Sequence, residues 1–159
     1  MKPANGAAIY IRRVGLNRID DLLALEESSF PTDRINRRNL RNLLRSESVC
    51  CMGAYAAGNL IGSLILLFRA GTRSARIYSL AVAEAARGRG VGRKLMVRAE
   101  REARKRGCIK MNLEVRADNI PAMRLYEKLG FEKTAILPGY YEDGSPANKY
   151  RKEVGHYHE

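Results

Sequence analysis

Arg87-Gly88-Arg89-Gly90-Val91-Gly92 stands between an apolar segment at residues 75 to 82 and a stretch in which Val91, Leu95, Ala99 and Ala103 recur every four residues. That recurrence, with Met96 beside it, predicts an amphipathic helix ended by Gly107, and the apolar segment before the glycines reads as a strand. Glycines at a strand-to-helix turn let the backbone bend sharply and come close to a ligand. The N–H groups of the helix's first turn have no partner within the helix, so they point at any anion lying there. A pyrophosphate suits such a loop; an ordinary glycine-rich turn is the alternative. Two other phosphate loops fail on spacing. No Lys-Ser or Lys-Thr pair closes the run as a Walker loop requires, and Gly88, Gly90 and Gly92 lack the G-x-G-x-x-G interval of a dinucleotide site.

Toward the N-terminus, alternation at residues 8 to 13 predicts a first strand. Asn17 reads as the cap of a helix that carries Ile19, Leu22, Leu23, Leu25 and Glu26 and ends near Phe30-Pro31. Asn36 reads as the cap of a second helix, with Leu40, Leu43 and Leu44 on its buried stripe and Arg37, Arg38, Arg41 and Arg45 off it. Residues 49 to 57 and 60 to 69 form a hairpin about Gly58-Asn59. Toward the C-terminus, a strand at 109 to 115 precedes a helix that starts at Asn119 with Pro121 just behind it and ends at Leu129-Gly130. A strand at 131 to 136, a turn-rich stretch at 138 to 146 and a last strand at 147 to 154 complete the chain. No repeat, linker or low-complexity stretch interrupts these elements, so one mixed α/β domain over residues 1–159 is expected.

A length of 159 residues with 45% hydrophobic content suits a single core. The three cysteines, with Cys50 and Cys51 adjacent, form no C-x-x-C pair and read as buried reduced thiols. His156 and His158 sit in a polar tail without a ligand cluster, so no metal is expected. The first residues hold no apolar run of signal-peptide length, and nowhere do about 18 uncharged apolar residues follow one another. A cytoplasmic protein without membrane contact is therefore expected. The 29 Lys+Arg against 17 Asp+Glu give a net charge of +12, which favours anionic partners. A basic nucleic-acid-binding module is the reading from another functional class. No C-x-x-C finger, ribonucleoprotein aromatic motif or basic-aromatic interleaving supports it, so nucleic acid is not expected as a partner. Monomer and homodimer both stay open.

The glycine run resembles the R/Q-x-x-G-x-G/A motif of the GNAT acetyltransferases. Leu113-Glu114-Val115-Arg116-Ala117-Asp118-Asn119 and Leu125-Tyr126-Glu127-Lys128-Leu129-Gly130-Phe131 resemble that superfamily's second conserved block, most of all as it stands in the ribosomal-protein N-alpha-acetyltransferases. The likeness covers residues 78 to 131. It implies an α/β (α+β) fold: a mixed, largely antiparallel central sheet flanked by helices, splayed between the two strands that receive acetyl-CoA. Acetyl-CoA is implied as co-substrate. The resemblance places its pantetheine on the backbone of Leu80, Ala81 and Val82, its pyrophosphate on Arg87, Gly88, Arg89, Gly90, Val91, Gly92 and Arg93, and its arm against Asn119. It implies acetyl transfer to a primary amine, first the N-terminal α-amine of a protein or peptide, with a small amine or a lysine side chain as the alternative. By the same resemblance Glu114 is the general base, directly or through water, and Tyr126 the general acid.

The chemistry asks for such groups, because an ammonium cannot attack a thioester. At pH 7 an α-amine of pKa about 8 is ~10% neutral, whereas a lysine of pKa about 10.4 is only ~0.04% neutral. From the residues alone, Glu114 also fits a surface carboxylate paired with Arg116 or Lys110, and Tyr126 a core residue beside Leu125 and Leu129. At the acceptor end, Ser29-Phe30-Pro31-Thr32 keeps a Phe-Pro but lacks the tryptophan that follows it in the resembling enzymes, and the chain has no Trp. In those enzymes the first two helices and a tyrosine-rich turn border the acceptor groove. This implies Phe30, Arg38, Arg41, Tyr140 and Tyr141 as acceptor-binding residues, although Asp143-Gly144 equally makes an ordinary exposed turn. Arginines at 34, 37, 38, 41 and 45 repel a basic acceptor, so an acidic peptide or a carboxylate-bearing amine is the expected partner.

Overall fold

The computed structural model describes residues 7–155. Segments of alternating or wholly apolar character form β1 (Ile9–Arg13), β2 (Val49–Ala56), β3 (Asn59–Phe68), β4 (Ser74–Val82), β5 (Lys110–Arg116), β6 (Glu132–Leu137) and β7 (Ala147–Glu153). They make one seven-stranded sheet in the order β1-β2-β3-β4-β5-β7-β6. Every pairing is antiparallel except that of β4 with β5, which α3 (Val91–Lys105) joins as a crossover. Between β1 and β2 the chain forms α1 (Ile19–Ser29) and α2 (Arg37–Arg45), and between β5 and β6 it forms α4 (Ile120–Lys128).

The period of two in each strand divides the core between the faces of the sheet. On β2, Cys50, Met52 and Ala54 join Leu95, Ala99, Ala103 and Tyr126 in one cluster, while Val49, Cys51 and Tyr55 join Leu22 and Leu40 in the other. The stripe Val91, Leu95, Ala99 and Ala103 is buried throughout, and its small members let α3 lie close to the sheet. Gly62 takes this furthest: a Cβ there would come within 2.7 Å of Val91 Cγ1. Leu40 is wholly buried on α2, a burial that contributes about 1.5–3 kcal/mol. The arginines at 37, 38, 41 and 45 face outward, as the sequence implies.

Two local expectations need correction. Asn17 does not cap α1; it sits inside a 3-10 turn, Leu16–Arg18, and the helix begins after Arg18 without a side-chain cap. Asp20 and Asp21 in the first turn complement the helix dipole there, and Arg18 pairs with Asp21 at 2.7 Å. The hairpin turns on Ala57-Gly58, one residue earlier than expected, with φ of 51° and 80°. Positive φ at both central positions is what a two-residue turn needs to match the strand twist, and Asn59 is already paired with Ala56. Asn36 does cap α2, accepting from Asn39 N–H at 2.8 Å. Among the described residues no helix is long and apolar enough to cross a membrane, and no three His, Cys, Asp or Glu are grouped to hold a metal. His156 and His158 lie outside the described residues.

Candidate active site

β4 pairs with β3 as far as Val82, but with β5 only from Ser74 to Ile77, opposite Lys110 to Leu113. Where that pairing stops, β4 bulges: Leu66 faces Ile77 and Ile65 faces Ser79, leaving Tyr78 as the extra residue. A bulge bends its strand and increases its twist, so the two parallel strands part. Leu80, Ala81 and Val82 lie on the departing stretch, and β5 covers none of its backbone groups.

The chain then passes through a 3-10 turn, Glu84–Ala86, into the glycine loop. Gly90 caps α3 in the left-handed region at φ 75°, and the first helical bond runs from Lys94 N–H to Gly90 C=O at 3.0 Å. The N–H groups of Val91, Gly92 and Arg93 therefore stay outside the helix ladder, at the positive end of its dipole. Arg87 and Arg93 are exposed beside them, whereas Arg89 turns away to donate to Ala7 C=O at 3.2 Å. Such a loop next to an open sheet fits a pyrophosphate with an extended arm. Asn119 is largely committed elsewhere: its Oδ1 caps α4 by accepting from Ala122 N–H at 3.3 Å, so only its amide NH2 is left for a CoA arm.

Glu114 is half-buried on β5, and both of its close contacts fall on Oε1, from Arg76 Nε and Nη2 at 2.8 Å. Neither Arg116 nor Lys110 is its partner. Arg116 instead donates to Asp143 at 2.6 Å and Ser145 at 2.7 Å, and lies 4.9 Å from the centre of the Tyr141 ring. This arginine holds the exposed Asp143 carboxyl down at about 2. Arg76 also donates to Tyr140 Oη at 3.3 Å, and Tyr140 meets Tyr141 edge-on at 5.0 Å. Burial, then Tyr140, push the Tyr141 phenol up to about 12.

Tyr126 is 6% exposed on α4, against Phe131 and Tyr150 at ring separations of 6.1 and 6.3 Å. Burial raises its phenol above the ordinary range, with Tyr141 adding to the rise, and its hydroxyl has no hydrogen-bond partner among the described residues. Phe30 is half-buried at the start of the α1–α2 loop. That loop reaches β5 and the tyrosine turn, with Thr32 Oγ1 accepting from Arg116 at 3.5 Å and Asp33 from Glu142 N–H at 3.2 Å. The structure thus brings Glu114, Tyr140, Tyr141 and the Phe30 loop to one side of the opening. It does not bring Arg38 and Arg41 there: they are exposed on α2, which packs on β2. Arg76 was not anticipated, because its meeting with Glu114 depends on the β4–β5 register.

Residues 16–131, more than half of the chain, match the acetyltransferase (GNAT) family. The chain belongs to the GNAT family. An N-alpha-acetyltransferase from Saccharolobus solfataricus is 38% identical over 76 residues, 47% of this chain and 46% of that protein. The [ribosomal protein bS18]-alanine N-acetyltransferase of Salmonella typhimurium is 40% identical over 42% of this chain and 45% of its own. The matching stretch thus spans about half the length of these curated relatives. Among solved structures, Ard1 from Thermoplasma volcanium superposes with TM-score 0.85 at 33% identity over 93% of this chain and 99% of its own. The ribosomal-protein-S18-alanine N-acetyltransferase from Escherichia coli shares the fold, with TM-score 0.85, 23% identity and coverage of 96% and 97%.

Within this GNAT sheet, the bulge on β4 rests on a buried carboxyl. Ser79 Oγ donates to Glu26 Oε2 from α1, and Glu26 is 4% exposed. Burial raises the Glu26 pKa, and the serine hydrogen bond offsets part of the rise. A carboxyl whose folded pKa is raised binds its proton more tightly when folded, so stability falls as pH climbs from the unfolded value through the folded one. Glu26→Gln should remove that fall and gain about 2–4 °C in Tm per kcal/mol relieved. Melting curves of both proteins across pH 4–9 check it, and parallel curves would show that Glu26 does not titrate. The thiols of Cys50, Cys51 and Cys108 are buried and raised by that burial, Cys51 to about 12, so none is poised as a nucleophile.

Proposed function

We propose that the protein is an acetyl-CoA-dependent N-acetyltransferase that acts, as a single domain, on the N-terminal α-amine of a protein or peptide by direct transfer. The observation that carries this reading is the parting of β4 from β5 beside the glycine loop. It sets an extended groove with exposed backbone groups end-on to an anion cradle. In that groove Leu80, Ala81 and Val82 hold pantetheine, and the loop from Gly88 to Arg93 holds the pyrophosphate. When bound, acetyl-CoA supplies an acetyl group activated as a thioester. Glu114, steadied through Oε1 by Arg76, takes the ammonium proton through Oε2 or a water. A backbone N–H at the β4 opening stabilises the oxyanion, and Tyr126 Oη protonates the departing thiolate. The names of the relatives support an α-amine acceptor, and the Phe30 loop with Tyr140 and Tyr141 frames an entry for a peptide end.

Acetyl-CoA with a panel of N-terminal peptides, lysine peptides and small amines tests this, following CoA release and the mass and site of the product. Label confined to lysine Nε or to small amines would overturn the α-amine assignment. Charge should also sort the acceptors. Arg37 is paired with Asp20, but Arg38 and Arg41 are exposed without an ion pair among the described residues. Because α2 touches β2 and not the opening, they act on the acceptor through their field. Acidic peptides should show a several-fold higher kcat/KM than basic ones. The ratio should shrink as salt shortens the Debye length from about 10 Å at 0.1 M to about 3 Å at 1 M. An Arg38→Glu/Arg41→Glu variant should shrink it likewise; a basic peptide preferred at low salt would refute the steering.

A further inference from the structure

A second concave site lies on the α3 face of the sheet, between that helix and the edge strand β1. Its volume is about 320 Å³, and Arg12, Arg13, Arg98, Arg101, Glu102 and Lys105 line it above Met52. Arg98, Arg101 and Lys105 are spaced three and four apart, so they share one helix face. Arg13 joins them from β1, where it alternates with Arg12, whose guanidinium is held 4.9 Å over Tyr10. None of Arg13, Arg98, Arg101 and Lys105 makes an ion pair or side-chain hydrogen bond among the described residues. These four cations are exposed, and set against the single carboxylate of Glu102 they raise the local positive potential and so favour an anion.

Simpler accounts cover only part of this. The dipole at the α3 C-terminus favours Lys105 but not Arg98 in mid-helix, nor Arg13 on another element. Cations on an edge strand also discourage edge-to-edge pairing, a role Arg12 fills. The larger cleft of about 560 Å³ between α1 and the β2–β3 hairpin offers no such charge, because Arg18 there is already paired with Asp21.

Contrary to the expectation from sequence patterns, we propose that the α3–β1 cleft binds the phosphate backbone of single-stranded RNA. It does so by charge alone, without the aromatic platform that base stacking needs. From Arg98 to Lys105 the helix rises about 10 Å, so its three cations stand in a row along which successive phosphates of one extended strand can lie. Three of the four cations are arginines, whose planar guanidiniums match phosphate oxygens in pairs. Only Ile11, Cys50 and Met52 give the cleft an apolar wall, and Cys50 and Met52 are buried. A protein partner would need an apolar centre that is missing here. The cleft also stands farther along α3 than the acetyl-CoA loop: its lining on that helix begins at Arg98, about 10 Å of helix rise beyond Val91, and ends at Lys105, about 21 Å beyond it.

The test is a fluorescence-anisotropy titration of a labelled 12-nucleotide RNA, with acetyl-CoA present in excess to fill the glycine loop. About three phosphate contacts give a log–log salt slope near −2, so affinity should fall roughly twenty-fold between 50 and 200 mM salt. Arg98→Glu/Arg101→Glu should lower affinity at least tenfold and flatten the slope by about one. Lys128→Glu/Lys133→Glu, an equal charge change on α4 and on β6 at the opposite edge, should cost less than threefold. Arg98→Ala/Arg101→Ala provides the same comparison should the reversal disturb folding. Equal losses in the α3 and control variants, or binding without salt dependence, would overturn the proposal. So would a polyglutamate peptide of equal charge binding as tightly, which would assign the cleft to an acidic protein segment.

Discussion

Tyr126→Phe should lower kcat by about 100-fold or more, the range a positioned general acid supplies, while Tm stays within a degree or two of the parent protein. The ring contacts with Phe131 and Tyr150 survive in phenylalanine. The lost hydroxyl has no partner among the described residues, so its removal strands no donor or acceptor. A purely structural Tyr126 would therefore be silent on replacement, which makes turnover a sharp readout. Burial raises the phenol pKa, so it stays protonated throughout the assay range, and the limb from its ionisation lies above the ordinary value near 10. A departing thiolate in the same dry site has its proton affinity raised in the same sense, which keeps transfer from phenol to sulfur feasible. Single-turnover measurements decide whether chemistry limits the rate; an unaltered chemical step in the variant would leave Tyr126 as a core residue.

What the sequence made legible, and what it did not, follows from the range of the interactions involved. The α3 stripe, the glycine loop and the caps Asn36 and Asn119 depend on residues three or four positions apart, and all appear where expected. Asn17 failed because it lies inside a 3-10 turn, Leu16–Arg18, which puts Arg18 rather than Asn17 at the position before α1. The hairpin slipped by one residue because Ala57 accepts a left-handed backbone that its own preference opposes, at about 1–2 kcal/mol. Long-range pairing was the larger gap. Lys110 and Arg116 were the visible candidates for Glu114, since they share its face of β5. Its actual partner, Arg76, comes from β4 through a parallel pairing whose register is set by the whole α3 crossover. The buried contact of Glu26 with Ser79 spans 53 positions and was equally hidden. The assignment of base and acid to Glu114 and Tyr126 came from family likeness, and the geometry adds to it a carboxylate with one free oxygen and an unpartnered phenol.

Gly90→Val should weaken acetyl-CoA binding about 100-fold while the protein still folds. Gly90 has φ 75°, and the space where a Cβ would stand is empty to 4 Å, so no clash opposes the substitution. The backbone itself resists: a left-handed conformation costs an L-residue about 1–2 kcal/mol, and a β-branched one most. Valine relieves that strain by drawing the cap out of the left-handed region, which re-aims the N–H groups of Val91, Gly92 and Arg93. Hydrogen bonds to a charged group contribute about 1.5–3 kcal/mol each, so losing one or two accounts for the hundredfold change. Gly92 is a poorer probe, because a Cβ there would lie 3.1 Å from Leu125 Cδ2 and disturb α4. Gly71→Val is the proper control, since Gly71 has φ 77° and equally open space but stands in the β3–β4 turn. It should lose similar stability with CoA affinity unaltered. Calorimetry on the two folded variants separates strain from ligand contact, and equal CoA affinity in both would remove the glycine loop from the binding site.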